Sequence, residues 1–378
     1  MMPKPFRVDF RADASEEIGL GHVMRCLTLA DALSARGSEC RLIFRALPGH
    51  LAEHIEARGH RPEPLPVPVD AIADPDVYGT WLGVSRVQDA ADCSNVLAQD
   101  PPDILVVDHY ALDASWERAV CPQGTCLVAL DDLANRPHAC NIFLDQNLGR
   151  HDSDYDTLLP ADCLRLIGPN YALLRPQFAM ARKEALARRT GKPCHQLLIS
   201  MGGMDKSDAT SKMLLELAEM HLPTDFAVCV VMGSASTNLD RVRKIAAQMP
   251  FATEVLFDVA DMAPLMATAD LAIGGAGSTS WERCCLGLPT LLLTIADNQR
   301  SIAQALHNSD AAFYVGDVRE SGWTSALRAA LSRAVQQPEW LFGMAKTASA
   351  ICDGRGAERV ADAMFEIVQG EIAKGHSV

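Results

Sequence analysis

A histidine follows a glycine-rich turn near the start of the chain, at a place where it could accept a proton. Residues 18–22 read Ile-Gly-Leu-Gly-His after an apolar strand pattern and before an amphipathic helix pattern. The positive end of the helix dipole disfavours a protonated imidazole, so a neutral His22 could take a proton from water at physiological pH. Asp13, on the same loop, could orient the ring or fix its tautomer. The alternative is a histidine that only caps the helix beside structural glycines.

Glycine turns that follow predicted strands could also hold an anion, because glycine lets backbone N–H groups approach it closely. Gly21 lies in the first of these turns, and Gly203 lies in another that opens the second half of the chain. The first turn lacks the third glycine of a Gly-x-Gly-x-x-Gly motif, and no Gly-Lys-Ser/Thr follows it. NAD and ATP are therefore disfavoured as ligands.

A third turn, residues 274–282, combines three glycines with three hydroxyl residues at a predicted helix start. Backbone donors of Gly277, Ser278 and Thr279 would point at a diphosphate there. Glu282, one turn into the helix, could accept hydrogen bonds from ribose hydroxyls. A tight turn with a hydroxyl helix cap is the alternative, although the density of glycine and hydroxyl residues exceeds what capping needs.

Polar side chains follow other predicted strands and could contact sugar hydroxyls or amides. Asn298 and Gln299 come after the buried strand pattern that ends at residue 294, and Tyr110 comes after the one that ends at residue 108. Each could equally belong to a capped helix or a satisfied turn. The histidines between residues 50 and 60 lack acidic or thiol partners at metal-binding spacing, so we expect no metal site and no cofactor.

Apolar strand patterns alternate with helical patterns almost from end to end, which predicts doubly wound parallel sheets. Several strands, such as residues 104–107, are apolar at successive positions, as parallel strands covered on both faces are. The predicted strands are residues 6–11, 40–44, 104–108, 126–130, 141–144, 196–201, 226–232, 253–257, 271–274, 290–294 and 312–315.

The alternation pauses between about residues 149 and 193, where we place a domain boundary. The sequence thus predicts an N-terminal Rossmann-like domain over residues 1–190, with the histidine loop, and a C-terminal one over residues 191–378. Two open α/β domains facing each other across a cleft would place the carboxyl ends of their strands near it. Such sheets bind their ligands at those ends.

Composition excludes several classes of function. The 378 residues suit about two domains, and 48% hydrophobic with 22% charged residues is typical of a globular chain. A net charge of −14 repels nucleic acid and anionic lipid surfaces, so neither is an expected partner. The N-terminus shows no secretory signal, and twelve scattered cysteines without Cys-x-x-Cys favour a cytoplasmic protein with reduced thiols. No obligate protein partner is indicated.

Taken together, these loops resemble the PseG family, the UDP-sugar hydrolases of pseudaminic acid biosynthesis. The likeness runs from about residue 6 to about residue 310 and rests on residues 11–15, 18–26, 168–175, 275–282 and 296–299. The block at 275–282 is shared with the wider MurG-like glycosyltransferases of GT-B fold. The resemblance implies a GT-B fold of two Rossmann-like domains, with UDP held mainly by the C-terminal domain and the last helix returning to the N-terminal one.

The resemblance also implies a substrate, UDP-2,4-diacetamido-2,4,6-trideoxy-β-L-altropyranose, and makes His22 the catalytic residue. Tyr110, Asn298 and Gln299 are carried over as residues of the sugar pocket. The expected reaction is attack of water, activated or positioned by His22, at the anomeric carbon. The C–O bond to UDP breaks with inversion, as expected of a single displacement, and loop donors stabilise the departing diphosphate.

Three other functions share these features. A GT-B glycosyltransferase would pass the sugar to an acceptor instead of water. A UDP-sugar 2-epimerase would interconvert sugars. A non-catalytic nucleotide-sugar binding protein would hold UDP without turnover. Release of UDP without an acceptor separates the hydrolase from the transferase. An epimerase would leave a new monosaccharide that has lost its 2-substituent, and a binding protein would bind UDP tightly without turning over any sugar.

Overall fold

The computed structural model of the protein describes residues 5–68, 77–202, 205–233 and 236–375. Two compact units share the chain: the first comprises Met1–Leu173 and Arg355–Val378, and the second comprises Leu174–Gly354. Each unit contains one parallel β-sheet. No helix in the described part of the chain is both long and apolar enough to cross a membrane.

The first unit is built on a seven-stranded sheet. Its strands are β1 (Arg7–Ala12), β2 (Glu39–Arg45), β3 (Arg61–Leu65), β4 (Ile104–Asp108), β5 (Cys126–Leu130), β6 (Ile142–Asp145) and β7 (Leu164–Ile167), in the order β3-β2-β1-β4-β5-β6-β7. Its helices are α1 (Gly21–Ser34), α2 (Ala52–Ala57), α3 (Arg86–Gln99), α4 (Ala114–Val120) and the C-terminal helix (Gly356–Gly375).

Both faces of this sheet are covered, which is why its strands are apolar at successive positions. In β4, Ile104 and Val106 join the core cluster that contains residues of α1 and the C-terminal helix. Leu105 and Val107 join a second cluster with residues of α3 and α4. Such double burial is typical of parallel sheets in α/β proteins.

The second unit is built on a six-stranded parallel sheet. Its strands are β8 (Gln196–Ser200), β9 (Ala227–Met232), β10 (Ala252–Phe257), β11 (Leu271–Gly275), β12 (Thr290–Thr294) and β13 (Phe313–Asp317), in the order β10-β9-β8-β11-β12-β13. Its helices are α5 (Pro176–Arg188), α6 (Ala209–Ala218), α7 (Leu239–Ala246), α8 (Ala263–Thr268), α9 (Thr279–Cys285), α10 (Arg300–Asn308), α11 (Trp323–Gln336) and α12 (Pro338–Ile351).

All eleven predicted strands are confirmed, and the structure adds β3 and β7, which the sequence analysis missed. Both are edge strands of the first sheet. β3 reads Arg-Pro-Glu-Pro-Leu. Because a proline nitrogen cannot donate a hydrogen bond to a neighbouring strand, two prolines in five residues argue against a strand in the sequence.

The chain passes from the first unit to the second after Leu173, whereas the sequence placed the boundary at residue 190. Helix α5 therefore lies in the second unit, where Arg182 donates to the carbonyl of Ser349 at 2.7 Å. The C-terminal helix lies in the first unit, where Arg359 donates to the carbonyl of Asn170 at 2.8 Å.

Candidate active site

His22 is the second residue of α1, the helix that follows the loop after β1. Its Nδ1 atom lies 2.6 Å from Oδ1 of Asp108, the last residue of β4. β1 and β4 are adjacent parallel strands, and Ala12 is in register with Asp108, so the loop and the carboxylate meet at the carboxyl end of the sheet. The His22 side chain is 10% exposed, and Asp108 is fully buried. The arrangement is an oriented imidazole at the end where such sheets bind ligands.

An arginine whose side chain is 11% exposed keeps Asp108 ionised. Arg25, on the next turn of α1, donates from Nε to Oδ2 and from Nη2 to Oδ1, each at 2.6 Å. Burial by itself would raise the pKa of Asp108, but the charge of Arg25 and the hydrogen bonds from Arg25 and His22 outweigh burial and hold the pKa well below its usual range. An ionised carboxylate accepts the Nδ1–H hydrogen of His22, which leaves the Nε2 lone pair to accept a proton.

The structure assigns the orienting role to Asp108 and not to Asp13, which the sequence had suggested. Asp13 is fully buried and pairs with Arg11 (Nη2 to Oδ2, 2.9 Å) and with His109 (Nε2 to Oδ2, 3.2 Å). The buried Asp13 carboxylate thus stabilises the start of the loop between β1 and α1. The useful sequence signal was a polar residue at the end of a buried strand, which Asp108 also provides.

An aromatic cluster backs the His22 ring. Tyr110 lies edge-on to the imidazole with ring centroids 4.6 Å apart, and Trp81 lies with its centroid 5.9 Å away. Trp81 and Tyr110 contact each other, and both are more than nine-tenths buried. The sequence analysis named Tyr110 but missed Trp81, because no periodic pattern connects the segment before α3 to this loop. The rings restrict how far the imidazole can rotate.

Open space surrounds the first residue of α1. Apart from Gly21 itself, its two chain neighbours and the nearby backbone of α1, no described heavy atom lies within 4 Å of the position that a Cβ of Gly21 would occupy. Gly21 does not have a positive φ, in contrast to Gly19 at +84°. Neither packing nor backbone conformation therefore requires a glycine at position 21, and the space next to His22 is open to a ligand.

The glycine loop of the second unit joins β11 to α9. The backbone N–H groups of Gly277, Ser278 and Thr279 donate no hydrogen bond to any other described residue. Ser278 occupies the N-cap position, yet its side chain makes no capping hydrogen bond. The hydroxyl-cap alternative therefore does not account for this loop, and three backbone donors are available.

Gln299 lies beside this loop. It ends a short 3-10 helix, Asp297–Gln299, after β12, and its Oε1 accepts the backbone N–H of Ile295 at 3.1 Å. Its Nε2 lies 3.7 Å from the position that a Cβ of Gly277 would occupy. The loop and the amide that the sequence named separately are thus neighbours within one unit, and Asn298 is exposed next to them.

Glu282 lies in the first turn of α9, as predicted. Burial raises its pKa to about 7, against the opposing charges of Arg175 and Arg283. The nearest of its ion-pair partners is Arg175, whose Nη2 lies 3.8 Å from Oε1. Glu282 can therefore carry a proton near neutral pH and both donate and accept hydrogen bonds.

Gly203, the remaining predicted binding residue, lies outside the described residues. Within the described ranges, no group of three or more His, Cys, Asp or Glu side chains is placed to hold a metal ion.

The chain has the GT-B fold. The structure of Acinetobacter baumannii MurG matches 96% of this chain and 100% of its own, with a TM-score of 0.68 at 15% identity. The UDP-GlcNAc 2-epimerase from Neisseria meningitidis, solved with UDP-GlcNAc, matches 95% of this chain and 100% of its own, with a TM-score of 0.59 at 12% identity. At such identities the likeness establishes the fold alone, and the predicted fold class is confirmed.

The sequence comparisons are more specific. Residues 197–364 match the model of the glycosyltransferase family 28 C-terminal domain. The chain is 26% identical over 298 residues to the UDP-2,4-diacetamido-2,4,6-trideoxy-beta-L-altropyranose hydrolase of Campylobacter jejuni, which covers 79% of this chain and 94% of that protein. The resemblance to the PseG hydrolases that the loop motifs predicted is therefore confirmed over most of the chain.

Proposed function

We propose that the protein is an enzyme that hydrolyses a UDP-sugar to UDP and the free sugar. The observation that carries this proposal is the 2.6 Å contact between Asp108 and Nδ1 of His22, which leaves Nε2 to accept a proton. The similarity to the Campylobacter hydrolase, which spans most of both chains, supports water as the attacking group. By the same similarity we propose UDP-2,4-diacetamido-2,4,6-trideoxy-β-L-altropyranose as the substrate, within pseudaminic acid biosynthesis.

In the proposed reaction, the oxygen of water forms a bond to the anomeric carbon of the sugar. Nε2 of His22 takes the proton of that water, and Asp108 stabilises the resulting imidazolium. The bond between the anomeric carbon and the phosphate oxygen breaks, its electron pair leaves with UDP, and the configuration inverts.

Binding of the nucleotide is proposed for the second unit. The unused N–H groups of Gly277, Ser278 and Thr279 suit phosphate oxygens, which are strong acceptors. Glu282, one turn further, suits ribose hydroxyls. Gln299 and Asn298 beside the loop are proposed to contact the sugar. Tyr110, next to His22 in the first unit, is separately proposed as a residue of the sugar pocket from the family resemblance.

A glycosyltransferase is the second candidate. It is favoured by the match of residues 197–364 to the glycosyltransferase family 28 C-terminal domain. The same nucleotide contacts and the same His22 would serve it, with an acceptor hydroxyl in place of water.

One experiment tests the choice between them. The purified protein is incubated with the proposed UDP-sugar in ¹⁸O-labelled water, without any acceptor, and both products are weighed. We expect UDP to be released and the label to enter the free sugar. Label in UDP would mean attack at phosphorus and would refute the proposed role of His22. Absence of UDP release would favour a transferase that needs its acceptor, or a different sugar as the substrate.

The His22→Ala variant provides the matched control for this assay. A general base contributes about 10²–10⁴-fold to a rate, so kcat should fall by at least about 10²-fold while UDP still binds. Turnover at the rate of the unaltered protein would end the assignment of His22.

A further inference from the structure

A buried arginine beneath the glycine loop of the second unit has no carboxylate partner. Arg283, in α9, is 3% exposed, and its Nη2 donates to the carbonyl of Gly275 at 2.6 Å and to Oγ of Ser280 at 3.1 Å. Its Nε is buried without a hydrogen-bond partner among the described residues. It forms no ion pair with any described carboxylate.

The chain treats other buried arginines differently. Arg11 and Arg45 of the first unit are fully buried, and each pairs with the carboxylate of Asp89, at 2.7 Å and 2.5 Å respectively. A buried charge is costly unless an opposite charge compensates it. Arg283 therefore stands out as a buried cation whose counter-charge is not supplied by the described protein.

The absence of a side chain at Gly274 leaves the space that the Arg283 guanidinium occupies. A Cβ at Gly274 would overlap Nη1 of Arg283 and would lie 2.8 Å from the carbonyl oxygen of Ser200. The residue does not have a positive φ, so the glycine is required for space and not for backbone conformation. The end of β11 is thus shaped to hold the arginine.

The charge on Arg283 persists at neutral pH. Burial lowers the pKa of its guanidinium to about 10, which still leaves it protonated. The neighbouring Glu282 does not neutralise it fully, because burial raises the pKa of that carboxyl to about 7. Helix α9 has only seven residues, so its dipole is a small source of positive potential compared with this full charge.

We propose that Arg283 is a positioning residue that ties the two ends of the glycine loop together and supplies the buried positive charge for the diphosphate of the bound nucleotide. It bonds to Gly275, the last residue of β11, and, within α9, to Ser280, the second residue of that helix. Between these two residues lie the unused N–H groups of Gly277, Ser278 and Thr279. This inference rests on the proposed function, which supplies the diphosphate.

The test compares UDP with uridine, which lacks the diphosphate, by isothermal titration calorimetry. In Arg283→Gln the Kd for UDP should rise about tenfold, while the Kd for uridine should change less than about twofold, because only the diphosphate responds to the lost charge. A role in folding alone would weaken both ligands by the same factor, and that result would overturn the proposal.

Arg189→Gln is the matched control. Arg189 is also an arginine of the second unit whose pKa burial lowers to about 10, but its acceptors lie outside the glycine loop. They are the carbonyls of Met266 at 2.9 Å and of Ala269, before β11, and that of Leu286 at 3.4 Å, after α9. We expect Arg189→Gln to lower the melting temperature without changing the ratio of UDP to uridine affinity.

A second pair of variants applies if Arg283→Gln does not fold. Ser280→Asp places a carboxylate beside the guanidinium and neutralises it, whereas Ser280→Asn has a similar size without the charge. UDP should bind about tenfold more weakly to Ser280→Asp than to Ser280→Asn, and equal affinities would overturn the proposal. If the unaltered protein does not bind UDP, the proposed function fails first, and this inference fails with it.

Discussion

Replacing Asp108 by asparagine should lower both kcat and the free energy of unfolding, and a control variant shows that the loss of kcat does not follow from the loss of stability. The Asp108 carboxylate accepts hydrogen bonds from Nδ1 of His22 and from two nitrogens of Arg25, all at 2.6 Å. Asparagine has nearly the same shape but carries no charge and offers one acceptor oxygen instead of two. Its amide can also donate to Nδ1, which would move the imidazole proton to Nε2 and block that atom as a base.

The structure limits both the loss of stability and the loss of kcat that Asp108→Asn can cause. Breaking a buried ion pair costs about 3–5 kcal/mol when the remaining charge has no other partner. Arg25 retains Asp132 at 3.1 Å, so we expect a loss of about 2–3 kcal/mol in the free energy of unfolding. The loss in kcat cannot exceed what the base contributes, and we expect about 10²-fold, or about 2.7 kcal/mol.

The assay is UDP release from the proposed UDP-sugar, measured for Asp108→Asn, His22→Ala and the double variant. Because Asp108 acts through His22, the double variant should have the kcat of His22→Ala alone. The coupling energy between the two substitutions should therefore be about 2.7 kcal/mol, equal to the full effect of Asp108→Asn.

Glu117→Gln is the control for stability. The Oε1 atom of Glu117 lies 2.6 Å from Nδ1 of His138, and both side chains are buried in the same unit. This variant should lose stability without the loss of kcat. The reasoning is refuted if Asp108→Asn keeps kcat within about threefold of the unaltered protein, or if the effects of Asp108→Asn and His22→Ala multiply.

Two further predictions concern Glu282 and Trp81. Burial raises the folded-state pKa of Glu282 from 4.5 to about 7. Between pH 4.5 and pH 7 the folded protein therefore holds a proton that the unfolded chain has released. The contribution of Glu282 to stability falls as the pH rises through this range. Urea denaturation should therefore show Glu282→Gln gaining stability relative to the unaltered protein from pH 4.5 to pH 7, and a constant difference would contradict the assignment. Trp81→Ala should lower the free energy of unfolding by about 3–5 kcal/mol, through the cavity it leaves, and lower kcat by freeing the His22 ring. Trp81→Phe should recover most of the free energy of unfolding and most of kcat. An unchanged kcat in a folded Trp81→Ala variant would show that the ring contact does not affect His22.

The strands were the most predictable part of the fold, because burial on both sheet faces leaves a run of apolar residues such as those of β4. The proline-containing β3 escaped detection, since its place is set by pairing with β2 and not by its own composition. The position of α5 was also hard to foresee, because a charged helix carries little information on which sheet it will join.

The sequence by itself determined the alternation of strands and helices, and hence two parallel α/β sheets, because local periodicity and short connections specify both. It also determined which loops carry His22 and the unused donors of the glycine turn, since these residues lie next to one another in the chain. Only the tertiary structure decided that Asp108, 86 residues from His22, orients the imidazole. It likewise decided that Arg283 is buried without a counter-charge. Both facts depend on which strand ends and side chains packing brings together, and no short-range pattern records that.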